Sequence, residues 1–172
     1  MSRGPVVITG FMGAGKTTVG RALARLLGEP FLDLDDAVEE FEGRAPRELI
    51  DGEGEDYFRA AETRALRRVL EEGAARVVAT GGGAWTLARN RSLVAAHGCL
   101  SVWLDAPFDL CLRRMDAEGA RDSRPFARDA ARALALYEQR LDAYRLAGLR
   151  VRVTGSSSAE ELAAEIAAAL AV

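Results

Sequence analysis

Residues Gly10-Phe11-Met12-Gly13-Ala14-Gly15-Lys16-Thr17 fit the pattern G-x-x-x-x-G-K-[ST]. The apolar run Val6 to Thr9 precedes them, and an amphipathic stretch starting at Lys16 follows. Each residue type has a physical reason. Glycines let backbone N–H groups curl around a β-phosphate, and the N-terminus of the next helix adds its positive end. A lysine supplies a point charge to the β- and γ-phosphates, and the Thr17 hydroxyl can ligate Mg²⁺ directly. A plain glycine turn ahead of a helix is the competing reading, and the strand-turn-helix context weighs against it. A nucleoside triphosphate site built from Gly13, Ala14, Gly15, Lys16, Thr17 and Thr18 is expected.

The same motif holds the chain's one lysine. Of 23 basic residues, Lys16 is the exception and the other 22 are arginines. A GTPase guanine clamp, N-K-x-D, has no second lysine to build on. A protein-kinase architecture is excluded too, since its lysine lies on a strand downstream of the glycine loop. A general preference for arginine explains most of the bias but not why the lysine survives here. At the phosphate loop a compact ammonium on a flexible stem is needed, and a broad guanidinium does not fit.

Other chemistries are bounded by composition. His97 is the single histidine, which removes histidine-based triads and multi-histidine metal sites. The net charge of −3 and a pI near 5.4 indicate no unspecific grip on nucleic acid or an anionic membrane. Cys99 and Cys111 lack metal-ligand spacing and read as buried, reduced thiols of a cytoplasmic protein. No signal-peptide pattern precedes the first strand, and no apolar run approaches the roughly 20 residues that span a bilayer. The length of 172 residues suits one domain.

Short apolar runs alternate with longer amphipathic ones. Strands are expected at 6–9, 31–33, 76–80, 100–104 and 149–153. Helices are expected near 16–27, 36–41, 46–50, 53–72, 89–96, 107–115 and 127–145, with a last one capped by Ser158. On the first helix Val19, Leu23, Leu26 and Leu27 share a face, and on the long one Phe58, Leu66, Val69 and Leu70 point inward. The alternation implies an α/β fold with a parallel sheet covered on both faces. Ligands then gather at the carboxyl ends of the strands.

The acceptor side is less specific. If the backbone stays extended, Asp33 and Asp35 point the same way beside the phosphate loop. One can then hold a Mg²⁺ water shell while the other takes the proton of an acceptor hydroxyl. Acidic strand ends also cap helices, which Asp36 can do. Gly81-Gly82-Gly83 is either a tight turn or bare backbone beside the pocket. Arg59 and Arg140 sit on helices, each by itself indistinguishable from a solvated arginine. Arg124-Pro125 closes a polar segment, about 116–126, that suits a lid carrying a charge-stabilising arginine, with Arg113 and Arg114 just before it.

In order and spacing, these motifs resemble the shikimate kinase family over essentially the whole chain. The residues that carry the resemblance are Gly10–Gly20 (GFMGAGKTTVG), Phe31-Leu-Asp-Leu-Asp35, Phe58-Arg59, Gly81–Gly83, Arg124-Pro125, and Arg140 with Tyr144. The resemblance implies a P-loop, nucleoside-monophosphate-kinase-like fold with five parallel strands ordered 2-3-1-4-5. It implies ATP-dependent phosphorylation of shikimate at its 3-hydroxyl, a step toward chorismate and the aromatic amino acids. Asp35 would bind the shikimate hydroxyls and serve as base, Arg59 and Arg140 would clamp the carboxylate, and the Gly82 region would meet the ring hydroxyls. Asp33 would orient Mg²⁺ waters, Arg124 would reach the ATP phosphates, and Arg114 would neighbour the adenine. Lys16, Asp35 and Arg124 would be the catalytic set. Shikimate and ATP are the expected partners of a monomer.

The chain departs from the family at Asp142, where proline is usual, and at Phe126, where leucine is usual. It departs also at residues 154–158, where many members offer an arginine to the adenine, and at Trp85, bulky for the substrate side. Kinases of another small polyol acid such as gluconate, or of a nucleoside monophosphate, are the enzymatic alternatives. A non-catalytic ATP-binding domain is the alternative of another class.

Overall fold

The computed structural model describes residues 4–117 and 129–171. Five strands, β1 (Val6–Thr9), β2 (Phe31–Asp33), β3 (Val77–Ala79), β4 (Leu100–Asp105) and β5 (Leu149–Arg152), form one sheet. Every pairing is parallel and the order is β2-β3-β1-β4-β5, as the resemblance implies. Val6, Val7 and Ile8 are successive residues without exposed surface, so both faces of β1 are covered.

Register places the site. Ile8 pairs with Ala79, and Ala79 pairs with Asp33. The carboxyl ends of β1, β2 and β3 are therefore level. Gly10, Leu34 and Thr80 leave the sheet along one edge, which brings the phosphate loop, the aspartates and the triple glycine together.

The helices are α1 (Lys16–Leu27), α2 (Leu34–Glu42), α3 (Pro46–Glu53), α4 (Glu55–Glu72), α5 (Ala88–Ala96), α6 (Phe108–Ala117), α7 (Ala130–Tyr144) and α8 (Ala159–Ala171). Helix α1 packs on β2, β3 and α8, while α4 packs on α2, α3 and α5. A 3-10 turn at Ala84–Thr86, which periodicity does not predict, joins β3 to α5 and meets α7.

Several expectations are corrected. Asp33, not Asp36, caps α2: its Oδ1 accepts the Asp35 N–H at 3.1 Å. Helix α2 begins at Leu34, because a carboxylate at the strand end satisfies an N–H of the first turn. Gly54, with φ +93°, separates α3 from α4, so the long helix starts at Glu55 rather than Glu53. Leu26 is 57% exposed. It lies in the last turn of α1, where Arg25, Gly28, Glu29 and Pro30 are exposed too, beyond the reach of the core. Cys99 is half-buried, and only Cys111 is buried. The Ser158 cap is present: its Oγ accepts the Glu161 N–H at 3.1 Å, and Glu161 Oε2 accepts the Ser158 N–H at 2.9 Å.

Candidate active site

The phosphate loop takes its shape from glycines that a side chain would distort. Gly13 has φ +79°, and a Cβ there would stand 2.6 Å from the Cys111 carbonyl oxygen. Gly15 caps α1 with φ +98°. Lys16 folds back over the loop and donates from Nζ to the Gly10 and Phe11 carbonyls, each at 2.9 Å. Arg114 Nη1 donates to the Ala14 carbonyl at 3.1 Å, so α6 holds the loop from the other side. Phe11, not singled out in the sequence, is buried edge-on against Tyr137 of α7, with ring centroids 5.2 Å apart. It anchors the loop in the core.

Asp33 and Asp35 do not lie on one extended strand. Asp33 ends β2 and Asp35 stands in the first turn of α2, so the alternation argument for their shared direction fails. Both still line the cleft, because the helix turn carries Asp35 around to it. Thr17 Oγ1 donates to Asp33 Oδ2 at 2.7 Å. A hydroxyl and a carboxylate are thus paired at the amino end of α1. Hard oxygen donors of this kind suit Mg²⁺, which usually completes its shell with phosphate and water. Among the described residues no cluster of three or more His, Cys, Asp or Glu could hold a metal by itself.

Close approach explains why the triple glycine has no side chains. A Cβ on Gly81 would come 2.8 Å from Glu62 Oε1 and 3.4 Å from Asp35 Oδ1. One on Gly82 would come 3.0 Å from Arg140 Nη1, and one on Gly83 would overlap the Arg59 guanidinium. The segment is a floor on which one acid pair and two arginines rest. That is more than a turn requires.

Arg59 is held by Glu62, Nη1 to Oε2 at 2.8 Å, and more loosely by Glu55, Nη2 to Oε1 at 3.4 Å. Its guanidinium also lies 5.2 Å from the Phe58 ring centroid. Glu62 has no exposed surface, and its Oε1 has no hydrogen-bond partner among the described residues. Burial pushes the Glu62 carboxyl above the usual range, Arg59 opposes that, and the Asp35 charge adds to it. Burial alone would lower Arg59, but Glu62 and then Glu55 outweigh it and hold the guanidinium more firmly charged. Sequence reading missed Glu62. The available signal was an acid one turn after Phe58 and next to Ala61, on the buried stripe of α4.

These groups share one cleft of about 860 Å³. Gly13, Ala14, Gly15, Lys16, Thr17, Thr18, Asp33 and Asp35 line it, together with Arg59, Gly82, Arg114 and Arg140. Arg140 is only 9% exposed, so it is not a solvated surface arginine. Arg124, Pro125 and Phe126 lie outside the described residues. Trp85 is not in the cleft. It is buried under α7, with Nε1 donating to the Ala143 carbonyl at 2.9 Å. Asp142 points outward and pairs with Arg145 at 2.6 Å, so the missing proline leaves the cleft wall untouched. From the 154–158 segment, Ser157 borders the cleft.

Comparison with known proteins agrees with this geometry. The family model for shikimate kinase matches residues 12–171. A shikimate kinase of Ruegeria pomeroyi is 43% identical over 169 residues, 96% of this chain and 84% of that one. The solved structure of shikimate kinase from Acinetobacter baumannii in complex with shikimate is 34% identical, with a TM-score of 0.88. That match covers 99% of this chain and 94% of the other. A gluconokinase from Sinorhizobium meliloti shares the fold alone, at 22% identity and a TM-score of 0.61 over 99% of this chain and 94% of its own. The chain belongs to the shikimate kinase family.

Proposed function

We propose that the protein transfers the γ-phosphoryl group of ATP to the 3-hydroxyl of shikimate, giving shikimate 3-phosphate for chorismate and aromatic amino acid synthesis. One observation carries the reading. Asp35, Arg140 and Arg59 all rest against the triple glycine, in the same cleft as the phosphate loop. A small carboxylate polyol needs arginines at its acid end and a carboxylate at its hydroxyls. A phosphoryl donor must lie alongside.

In this reading Arg59 and Arg140 hold the substrate carboxylate, for which the planar guanidinium fork is suited. Asp35 accepts hydrogen bonds from the ring hydroxyls and takes the proton of the attacking one. The Gly82 backbone, which lines the cleft, would meet the ring hydroxyls. Lys16 leaves its loop carbonyls to neutralise charge on the β- and γ-phosphates, and the loop N–H groups cradle them. Arg114 flanks the adenine side. Arg124, on the segment at about 116–126, serves as the lid arginine. Phosphoryl transfer depends on positioning and charge neutralisation, which this set supplies without covalent assistance.

Thr17 and Asp33 would hold Mg²⁺, the hydroxyl directly and the carboxylate through water. When bound, the ion neutralises phosphate charge. A length of 172 residues suits a single domain, which we read as a monomer. The free thiols Cys99 and Cys111 suit the reducing cytoplasm. No described helix is long and apolar enough to cross a membrane.

A coupled ADP-release assay offered shikimate, gluconate and AMP in turn tests the reading. Turnover with shikimate alone is expected. Silence with shikimate, or faster turnover with either alternative, overturns it.

A further inference from the structure

We propose that Tyr144 is a positioning residue that locks Arg140 and the Gly82 backbone into one unit, so that its hydroxyl sets shikimate affinity without touching substrate. The inference rests on the reading of the cleft given above.

Tyr144 closes α7 one turn after Arg140, which puts both on the same helix face. It has no exposed surface and does not line the cleft. Its hydroxyl donates to the Gly82 carbonyl at 2.7 Å. The Arg140 charge also acts on it, partly opposing the effect of burial on the phenol. A guanidinium can only donate, and the hydroxyl has a single proton, already committed to Gly82. Tyr144 therefore donates to Gly82 and keeps lone pairs that can accept from Arg140. The missing Cβ of Gly82 marks where the three meet, 3.0 Å from Arg140 Nη1 and 3.4 Å from Tyr144 Oη.

The ring is fixed from behind. It stacks on Trp103 of β4, with centroids 6.1 Å apart and planes 26° from parallel. The sheet thus sets the height of the hydroxyl, and the hydroxyl sets the Arg140 guanidinium. Holding the Gly82 carbonyl also fixes its peptide plane, which turns the Gly83 N–H away from Tyr144. Burial pushes the phenol up to about 12 against the pull of Arg140, so it stays a neutral donor through the working pH range. A long arginine held this way has lost its rotamer freedom before substrate arrives.

Tyr144→Phe keeps the stacked ring and removes only the oxygen. The expected result is a shikimate KM raised about tenfold, with kcat and the ATP KM within about twofold. In an Arg140→Lys background the same change should add less than about twofold, because it acts through Arg140. A purely structural role predicts additive effects, or equal changes in both KM values. Either outcome overturns the inference, as does a shikimate KM that does not move. Should Tyr144→Phe fail to unfold cooperatively, Gly82→Ala attacks the same cluster from the other side with the tyrosine retained. Its shikimate KM should rise selectively, and an unchanged value overturns the inference. Wild-type turnover separates the two levels. Its absence with shikimate overturns the functional reading and this inference together, whereas wild-type turnover with an unmoved variant overturns this inference alone.

Discussion

Arg59 and Glu62 meet at 2.8 Å in the cleft wall, and the glutamate has no exposed surface while the arginine faces the cavity. The second acid on Arg59, Glu55, differs: its contact is longer, at 3.4 Å, and its side chain is 56% exposed. Glu62 holds Nη1 of the guanidinium, and Glu55 touches Nη2, which the proposed carboxylate clamp would use. The two acids should therefore act oppositely. Glu62→Gln is expected to raise the shikimate KM about five- to tenfold, and Glu55→Gln to lower it by up to about threefold. Steady-state kinetics at saturating ATP check this, and a KM that rises in both variants would refute a competing role for Glu55.

Gly83→Ala is expected to cripple substrate binding without touching the nucleotide side. Its Cβ would overlap the Arg59 guanidinium, which must then leave its place between Glu62 and the cleft. The shikimate KM should rise about as far as in Arg59→Ala, on the order of 100-fold, with little change in the ATP KM. The double variant should be no worse than either single one. Additive losses would place the damage in the turn itself.

Much of this site was legible in the sequence, for reasons that differ by residue. Lys16, Thr17 and the loop glycines are readable because one contiguous motif encodes a complete binding geometry. The strand order followed from the resemblance alone, while alternating strands and helices implied only a parallel sheet covered on both faces. Arg59 and Arg140 were readable only through the family's order of motifs, since nothing local separates them from the chain's other arginines. Glu62 was hidden because an acid on a helix usually reads as a solvated face. Its partner lies one turn away, and it is covered by the triple glycine, whose Gly81 leaves no room for a Cβ beside Glu62 Oε1. The Asp33-x-Asp35 spacing misled in one respect. Period-2 alternation assumes a continuing strand, and the Asp33 cap ends it at that residue. Trp85 misled because the 3-10 turn after the triple glycine rotates it under α7.

The chemical step should depend on Lys16 and Asp35 separately from binding. Lys16→Met removes the point charge over the phosphates and is expected to lower kcat by about 10²–10⁴-fold. Asp35→Asn keeps the shape but not the basicity, and a loss of about 10²-fold or more in kcat is expected. Shikimate binding by calorimetry without nucleotide should survive in Lys16→Met. If Asp35→Asn kept near-normal kcat and KM, Asp35 would be neither base nor binder.

Thr17 and Asp33 should report on the metal through its concentration dependence. Thr17→Ala and Asp33→Asn each remove one side of the 2.7 Å pair at the start of α1. Both are expected to raise the Mg²⁺ concentration for half-maximal rate by about tenfold or more, leaving shikimate binding intact. An unshifted Mg²⁺ dependence in both would take the ion away from this pair.

Glu62 should make stability fall as pH rises above 4.5. Burial, partly opposed by Arg59, lifts the folded carboxyl above its unfolded value of 4.5. Between that value and the folded one, the native state holds a proton that the unfolded chain has released. Stability then decreases with pH across this window and levels off once folded Glu62 ionises. Glu42 behaves in the opposite sense: hydrogen bonds from Arg64 and Tyr57 hold it below its ordinary value, so its contribution is lost as pH falls below 4.5. The window above 4.5 is thus free of Glu42. Urea unfolding of the wild type and Glu62→Gln from pH 4.5 to 8 should show the wild type losing ground to the variant as pH rises. Parallel curves would mean the Arg59 pair fully offsets burial, and a wild type that gained ground would mean the ion pair dominates.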